Sequence, residues 1–429
     1  MNPYRALELQ GKGNKKKEEY KYFVGSTERD ALSYRCSEKI VFRIRARHKD
    51  EYLDIPYIAY SLLAEDGKSD SGYLQRSEDG WFYIETSISK SGFVYLNAKA
   101  CDEEKNVIAD VEEYNASAGA DVDRILPATR VPSDYEAFRE SLFRAVEKTA
   151  PRVLYSEKIQ DARYPDFEIL NMRIAAPGSE YASFIACYPK SAKKESLGLA
   201  MLFQGYGVTP PSPWPMAGYL TVHVNAHALP NEEDAAFYAV MRDGALKGYG
   251  YKAEENRKSN TTYFSKMLLR DLAVLRFFEH HELLNGKDYI FVGSSQGGMQ
   301  ACNMASLFEK ASAAILNVPG FSDVFADELL GRRKNAMPKG DGVAYYDTAV
   351  AAQYLKCPTY IISGLGDSIC SSSSQMALFN AIRAPKCIEF YQNKTHSLTI
   401  PWDNHRYALG SEEIADAFFE IAKMYLEWN

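Results

Sequence analysis

Residues 293–298, which read GSSQGG, have the composition of a tight turn built around a reactive serine. The turn follows the apolar run YIFV and precedes small residues that can start a helix. A strand, a G-x-S-x-G turn and a helix form a nucleophile elbow, which holds a serine hydroxyl above the edge of a sheet. We therefore predict Ser295 as a nucleophile, with Gly293 and Gly297 where a Cβ would collide as strand and helix converge. A glycine-rich packing turn with an idle serine is the alternative interpretation.

A serine hydroxyl is a weak nucleophile, so a histidine base is expected to accompany it. In hydrolases that carry this elbow, the chain order is serine, acid, histidine. Of the seven histidines, only His396 and His405 follow Ser295. His396 lies in the loop after the apolar run CIEFY and well before the last helical stretch, so it is the predicted base. His405, which lies closer to that helix, is the alternative.

The acid that orients the base is expected at the end of the strand before it. Asp367 follows the β-branched run PTYIISG and is the predicted acid. Its alternative role is that of a turn aspartate that caps the next helix. Asp323 and Asp347 are less well placed. The serines at 371–374 lack an elbow, and helix-start chemistry accounts for them.

An oxyanion forming on the substrate needs two hydrogen-bond donors. The N–H group of Gln296, at the positive end of the predicted helix, is one candidate. The second is the N–H group of Tyr206, in the loop FQGYG that follows the apolar run LGLAML; an ordinary Gly-Tyr-Gly turn is the alternative. Trp214, between two prolines in the same loop, either lines the acyl pocket or packs in the core.

The elements that must position these residues lie beyond residue 152, where apolar strand-like runs are followed by helical stretches. Runs such as 197–203 are uniformly apolar, which is typical of strands buried on both faces. One helical stretch places Leu268, Leu272 and Leu275 on a single stripe. This order predicts the α/β fold class, with a mostly parallel sheet and helices on both sides.

The N-terminal part of the chain has a different pattern. Between residues 20 and 115, short runs alternate between apolar and polar positions and are separated by turn clusters; in one run Phe42 and Ile44 share a face. This pattern predicts a β-sandwich of immunoglobulin-like type. We expect the sandwich domain to span 1–127 and the α/β domain to span 128–429, with the linker in a stretch rich in small residues and proline.

Composition excludes several classes of function. The net charge is −7 over 429 residues, which indicates neither nucleic-acid nor acidic-membrane binding, and no apolar run is long enough to cross a bilayer. The seven cysteines are scattered and form no CxxC pair, which favours a reducing compartment and argues against a zinc site. Neither a metal nor another cofactor is expected. The default localisation is cytoplasmic, although a signal peptide could have been trimmed.

Four motifs, in the order FQGYG, GSSQGG, GLGDSIC and THS, resemble those of the acetyl xylan esterase and cephalosporin C deacetylase family, carbohydrate esterase family 7. The stretch SDYEAFRESL resembles the opening helix of that family, so the resemblance covers roughly 130–429. It implies an α/β-hydrolase fold and a cofactor-free serine esterase that removes acetyl groups from small acetylated saccharides, often as a homo-oligomer. Position by position, it implies a nucleophile, an acid, a base and two oxyanion donors at Ser295, Asp367, His396, Tyr206 and Gln296.

The chain departs from that family at several points. It has Asn225-Ala226-His227 where the family has RGQ, serines where the acid turn has prolines, and no glutamate after His396. We expect the core chemistry to survive, because none of the five catalytic roles is lost, whereas these changes leave substrate choice and oligomer packing open. A longer-chain esterase or peptidase is therefore one alternative, and a non-catalytic carbohydrate-binding relative is another.

Overall fold

The computed structural model describes residues 20–332, 338–397 and 405–428. Residues 20–120 form strands and turns only. These strands are β1 (Lys21–Thr27), β2 (Ile40–His48), β3 (Glu51–Tyr52), β4 (Tyr57–Ala64), β5 (Ser69–Gln75), β6 (Phe82–Thr86), β7 (Gly92–Cys101) and β8 (Tyr114–Ala120). We call this part the N-terminal β region.

The N-terminal β region consists of two antiparallel sheets that share an apolar core. One sheet joins β1, β2, β3 and β6, and the other has the order β5-β4-β7-β8. Phe42 and Ile44 are buried together on β2, as the alternation of the sequence predicts. Buried residues of both sheets belong to one cluster that continues into the rest of the molecule. The domain boundary between residues 127 and 128 stays a prediction.

The rest of the chain is built on one ten-stranded sheet. Its order is β18-β17-β16-β15-β14-β12-β13-β11-β10-β9. The strands are β9 (Val153–Ile159), β10 (Phe167–Ala176), β11 (Glu180–Pro189), β12 (Leu197–Phe203), β13 (Tyr219–Val224), β14 (Leu284–Ser294), β15 (Ala313–Asn317), β16 (Thr359–Gly364), β17 (Lys386–Tyr391) and β18 (Arg406–Gly410). The six neighbouring strands β13, β12, β14, β15, β16 and β17 are parallel, and antiparallel strands flank them on both sides.

Helices cover both faces of this sheet. They are α1 (Tyr135–Glu147), α2 (Ala235–Asp243), α3 (Tyr263–Phe278), α4 (Gln296–Leu307), α5 (Ala326–Leu330), α6 (Thr348–Ala352), α7 (Ser372–Ala381) and α8 (Glu412–Trp428). Alternate residues of β12 point to opposite faces: Leu202 packs with Tyr425 of α8, whereas Met201 packs with the cluster that includes Leu268 of α3. The predicted mostly parallel sheet with helices on both sides is therefore confirmed. Among the helices of the described residues, none combines the length and apolarity that crossing a bilayer requires.

This topology brings distant loops to one edge of the sheet. Strands β12, β14, β16 and β17 are parallel, so their carboxyl ends lie side by side. The loops that follow them contain Tyr206, Ser295, Asp367 and His396. In open α/β sheets, ligands bind at this carboxyl edge.

Candidate active site

Ser295 lies at the apex of a strained turn between β14 and α4. Its backbone angles are φ 55 and ψ −119, which a residue with a side chain rarely adopts. Two backbone hydrogen bonds hold this conformation, because the Ser295 N–H donates to the Asn317 oxygen at 2.9 Å and its carbonyl accepts from the Gly320 N–H at 2.7 Å. The strain is thus maintained by the neighbouring loop after β15.

The two glycines of the elbow are positions of close backbone approach. A Cβ placed on Gly293 would lie 2.0 Å from the Gly297 oxygen, and one on Gly297 would lie 1.9 Å from the Phe203 oxygen. Both distances are far shorter than any van der Waals contact. Strand β14, strand β12 and helix α4 can therefore meet beneath Ser295 only if both positions are glycine.

The structure brings Ser295, His396 and Asp367 together in one hydrogen-bonded chain. His396 Nε2 lies 2.9 Å from Ser295 Oγ, and His396 Nδ1 lies 2.8 Å from Asp367 Oδ2. A nitrogen facing a carboxylate carries the hydrogen, so Nδ1 is the donor and Nε2 can accept the proton of the serine. Asp367 is fully buried, whereas the His396 side chain is 23% exposed toward the cleft.

Asp367 also organises the turn in which it lies. Its Oδ1 accepts hydrogen bonds from the N–H groups of Ile369 at 2.7 Å and Cys370 at 2.8 Å. It does not cap the following helix, because Ser371 is the N-cap of α7 and accepts from the Ser374 N–H. The alternative in which Asp367 caps that helix is therefore wrong, although Asp367 is indeed a turn aspartate.

The alternative base, His405, lies elsewhere. It is exposed just before β18, where its carbonyl oxygen accepts from the Gln392 N–H at 3.0 Å. Among the described residues that line the cleft around Ser295, His396 is included and His405 is not.

One predicted oxyanion donor, Gln296, directly follows the serine, and the other, Tyr206, lies in a loop that lines the same cleft. Gln296 is the first residue of α4, and the first N–H groups of a helix have no partner within it. Gly205 and Tyr206 line the same cleft as Ser295. A side-chain carbon placed on Gly205 would lie 3.7 Å from the Ser295 Cβ, so this loop passes within van der Waals reach of the serine.

A cleft of about 820 Å³ opens over these groups. Part of its wall is aromatic and apolar, formed by Tyr206, Tyr251, Phe321 and Ile369. The Tyr206 ring stacks on the Tyr249 ring at 4.4 Å and meets Tyr251 edge-on at 5.5 Å. Tyr206 is nevertheless 46% exposed, so this aromatic wall faces the solvent-filled cleft.

Comparison with known proteins points in one direction. The family described as acetyl xylan esterase (AXE1) matches residues 326–409, the segment that contains Asp367 and His396. The acetyl esterase Axe7A of Xylanibacter ruminicola is 23% identical over 291 residues, which cover 64% of this chain and 65% of that relative. The match therefore spans somewhat less than two thirds of the relative's length.

Two solved structures share the fold. The acetyl xylan esterase from Paenibacillus sp. R4 has a TM-score of 0.53 at 15% identity, over 71% of this chain and 98% of that one. Acetyl xylan esterase 1 from Thermoanaerobacterium has a TM-score of 0.55 at 16% identity, over 71% of this chain and 96% of that one. The chain resembles the acetyl xylan esterases. Its larger part has the α/β-hydrolase fold that the resemblance of the four motifs implies.

One departure from the acetyl xylan esterase motifs has a clear place in the site. His227 is fully buried behind the loop of Tyr206, and its Nε2 lies 2.8 Å from the Gly207 carbonyl oxygen. Its Nδ1 lies 2.6 Å from the Tyr263 hydroxyl. Tyr249 completes the arrangement, because its hydroxyl donates to the Gly207 oxygen and accepts from the Gly207 N–H. The loop that carries Tyr206 is thus held from behind.

The protonation state of His227 follows from these contacts. Burial lowers its pKa to about 4, and the nearby Arg270 guanidinium acts in the same direction, so the ring is neutral at neutral pH. Facing a carbonyl, Nε2 must carry the hydrogen, and Nδ1 therefore accepts from Tyr263. Sequence reasoning missed this role. The available signal was the position of His227, which follows a buried strand by three residues and lies close to the sheet edge that carries the site.

The expected role of Trp214 in the acyl pocket is wrong. Trp214 is 2% exposed and packs in the core on the α8 side of the sheet, with its ring edge-on to Tyr425 at 5.7 Å. The cleft wall that it was expected to form is made instead by Tyr251 and Phe321. The packing interpretation of Trp214 is therefore the correct one.

One group in the site has donor atoms of the kind that bind metals. Atoms of Asp367, Cys370 and His396 lie within 4.8 Å of one another. The Asp367 and His396 atoms are already hydrogen-bonded to each other, and burial raises the pKa of the Cys370 thiol well above its usual value. The hydrogen bond between Asp367 and His396 already orients these two residues for proton transfer.

Proposed function

We propose that this chain is a serine carboxylesterase that removes acetyl groups from acetylated carbohydrates through an acyl-enzyme. The observation that carries the proposal is the unbroken contact from Ser295 Oγ through His396 to Asp367, at 2.9 and 2.8 Å, on a strained elbow at the carboxyl edge of the sheet. The named acetyl esterase and acetyl xylan esterase relatives support the choice of acyl group.

In the proposed reaction, Ser295 Oγ attacks the acetyl carbonyl carbon while His396 Nε2 takes the hydroxyl proton. The negative charge that develops on the carbonyl oxygen is stabilised by the N–H groups of Tyr206 and Gln296, each worth about 3 kcal/mol of barrier. His396 then returns the proton to the departing sugar oxygen. Water repeats the sequence on the acetyl-serine and releases acetate, while Asp367 keeps the imidazole in the correct tautomer.

The cleft is consistent with a saccharide as the alcohol part of the ester. Its volume of about 820 Å³ exceeds what an acetyl group needs. Tyr206 and Tyr251 both line the cleft and are partly exposed, so they offer aromatic surface of the kind on which sugar rings pack. We also propose that the N-terminal β region is an immunoglobulin-like sandwich, on the basis of its two antiparallel sheets and shared core.

The first test is hydrolysis of p-nitrophenyl acetate by the wild type and by Ser295→Ala. We expect the variant to lose activity by at least about 10⁴-fold while its thermal unfolding stays intact. Ser306→Ala is the matched control, because it deletes a hydroxyl at the far end of the same helix. That hydroxyl donates to the Asn303 oxygen and accepts from Arg139, away from the cleft. A folded Ser295→Ala protein with wild-type activity would refute the proposal.

The second test concerns the substrate. Acetylated xylo-oligosaccharides, butyryl esters and peptides are incubated with the protein, and released acetate, butyrate or amine is measured. Preferred release of acetate from the saccharide supports the proposal, whereas preference for butyryl esters or peptides identifies one of the alternatives. Labelling of Ser295 by a fluorophosphonate separates any serine hydrolase from a non-catalytic carbohydrate-binding relative.

A further inference from the structure

The loops that carry Asp367 and His396 rest against the N-terminal β region along strand β8. Four polar residues of these loops and of α7 reach across to it, and they are Gln392, Asn393, Ser372 and Ser373. Each of the four side chains is almost completely buried. Hydrogen bonds in such a dry interface are costly to leave unmade, so they specify one arrangement of the two surfaces.

The histidine loop is attached by paired bonds. Gln392 Oε1 accepts from the Ser117 N–H at 3.3 Å, and Gln392 Nε2 donates to the Ser117 oxygen at 3.2 Å. Asn393 Oδ1 accepts from the Asn115 N–H at 3.0 Å, and Asn393 Nδ2 donates to the Phe23 oxygen at 2.9 Å. Asn393 therefore uses both ends of its amide on backbone groups of the N-terminal β region.

Asn393 is also the residue that turns the chain toward His396. Its φ is 53, in the left-handed region that asparagine tolerates better than most residues with a side chain. It lies three positions before His396. The side-chain bonds to Asn115 and Phe23 hold this turn, and the turn sets the direction in which the histidine loop leaves β17.

The acid loop is held by contact as well as by hydrogen bonds. A Cβ on Gly366, the residue before Asp367, would lie 2.2 Å from the Asn115 oxygen, so the two backbones are in direct contact. At the start of α7, Ser372 Oγ lies 2.9 Å from Ser117 Oγ, and Ser373 Oγ donates to Glu65 Oε1 at 2.5 Å. Helix-start chemistry explains only Ser371; the next two serines are interface residues.

The two loops are joined to each other at the same place. The Gly366 N–H donates to the Lys394 oxygen at 2.9 Å, and the Leu365 N–H donates to the Tyr391 oxygen at 2.9 Å. Asn115 contacts both loops, the acid loop through its carbonyl and the histidine loop through its N–H group. A displacement of β8 would therefore move Asp367 and His396 together.

We propose that the N-terminal β region is a positioning element of the active site. Asn115 and Ser117 of β8 hold the acid and histidine loops in place relative to each other. Asn393 and Gln392 are the positioning residues of the histidine loop, because their side chains bond to these two residues. The inference rests on the proposed function, because it assigns these residues to the geometry of the same acid–base pair. Catalytic groups must be held within a fraction of an ångström by a supporting shell. Here that shell is provided by a separate pair of sheets.

The test is Asn393→Gly in the full chain. Glycine accepts the positive φ of this residue, so the substitution removes the two side-chain bonds without adding backbone strain. We expect kcat for p-nitrophenyl acetate to fall by at least about tenfold, with KM within about threefold of the wild type, because substrate contacts are untouched. We also expect the far-downfield proton resonance of the His396 Nδ1–H, assigned by its loss in His396→Ala, to broaden or disappear.

Asn380→Ala is the matched control. Asn380 lies near the end of α7, about 12 Å along the helix from Ser372, and donates to the Val122 and Ile125 oxygens at 2.8 and 2.9 Å. It thus loses two hydrogen bonds to backbone carbonyls just after β8, but far from the catalytic loops. We expect a lower Tm with unchanged kcat and an unchanged imidazole resonance.

Gln392→Leu is the second variant, used if Asn393→Gly does not fold. It removes the paired bonds to Ser117 at a residue without a positive φ. We again expect a lower kcat, a nearly unchanged KM and a weakened imidazole resonance. The inference is overturned if a folded Asn393→Gly or Gln392→Leu protein keeps wild-type kcat and resonance. It is also overturned if Asn380→Ala lowers kcat and weakens the imidazole resonance as much as Asn393→Gly does. An inactive wild type would contradict only the proposed function, and the resonance comparison would then decide the positioning role by itself.

Discussion

The two halves of the proposed active site are held in different ways. The half with Ser295 and Tyr206 is held from within the ten-stranded sheet, by His227 behind the loop and by close backbone approach at Gly293 and Gly297, where an added Cβ would lie 2.0 and 1.9 Å from a carbonyl oxygen. The half with Asp367 and His396 is held partly from outside, by hydrogen bonds to the N-terminal β region.

The difference shows that one site can combine two kinds of constraint. Close backbone approach at a glycine leaves no room for a side chain, because an added Cβ would overlap the neighbouring carbonyl. Side-chain hydrogen bonds act over single contacts and can be removed one at a time. We therefore expect substitution of Gly293 or Gly297 to act in an all-or-none way, and substitution of the residues that support either half through hydrogen bonds to act in steps.

The largest expected effect tests the acid–base half at its centre. In Asp367→Asn, the amide oxygen would stay with the N–H groups of Ile369 and Cys370, which turns the amide NH₂ toward His396 Nδ1. The imidazole would then carry its hydrogen on Nε2 and could not accept the proton of Ser295. We expect kcat to fall by about 10⁴-fold with little change in KM, measured by steady-state hydrolysis of p-nitrophenyl acetate.

Asp66→Asn is the control for that substitution. Asp66 is also a turn aspartate, which accepts from the N–H groups of Lys68 and Ser89, but it lies in the N-terminal β region away from the cleft. We expect some loss of stability and no loss of kcat. An Asp367→Asn protein within tenfold of the wild type would show that the carboxylate does not orient the base.

The next effect concerns pH and the serine half. The folded-state pKa of His227 is lowered to about 4, so the unfolded chain binds its proton first as the pH falls. The stability that His227 provides is present above its ordinary value near 6.5 and is lost between there and pH 4. We expect the difference in unfolding free energy between wild type and His227→Phe to shrink by about 3 kcal/mol over that interval, measured by urea unfolding.

The same variant gives a smaller effect on activity. His227→Phe keeps a ring of similar shape but removes the bond to the Gly207 oxygen, while the Tyr249 contacts of the loop with Tyr206 stay in place. We expect kcat to fall roughly tenfold at pH 8, since a donor that moves slightly still binds part of the developing charge. Tyr263→Phe removes only the outer partner of the histidine and should lower kcat less. Equal effects of both variants would contradict this order.

The smallest effect lies at the edge of the acid–base half. Ser373→Ala removes one of the bonds to Glu65, which keeps its bonds from the Phe93 N–H and the Tyr95 hydroxyl. We expect the unfolding free energy to fall by about 1 kcal/mol with kcat within twofold of the wild type. A larger fall in kcat than that of Asn393→Gly would place the important contact at α7 rather than at the histidine loop.

Much of the site could be predicted because its chemistry is local in sequence. The strained turn at Ser295 requires glycines at fixed offsets, and these are visible as GSSQGG. The order of serine, acid and histidine along a parallel sheet then left few choices for Asp367 and His396. The apolar runs that became β12 to β17 were recognisable because strands buried on both faces are apolar throughout.

Other features could not be predicted, since they depend on which way a side chain points. Trp214 sits in a loop of the site, yet the backbone turns its indole into the core. His227 replaces a residue of the RGQ motif of the acetyl xylan esterase family. Its Nε2 lies 2.8 Å from the Gly207 oxygen, behind the loop that carries Tyr206. The edge strands β9 and β18 are not evident in the sequence, because most of their residues are exposed and they form no continuous apolar run.

By itself, the sequence determined the α/β class, the elbow and the identity of the groups able to do the chemistry, because glycine offsets, apolar runs and residue order are properties of neighbouring positions along the chain. Only the tertiary structure decided that β8 supports the loops of Asp367 and His396. The Asn393 side chain meets Asn115, 278 positions away, through a backbone N–H that every residue except proline possesses. Backbone hydrogen bonding carries no signal in residue type, so such a contact is fixed by packing alone.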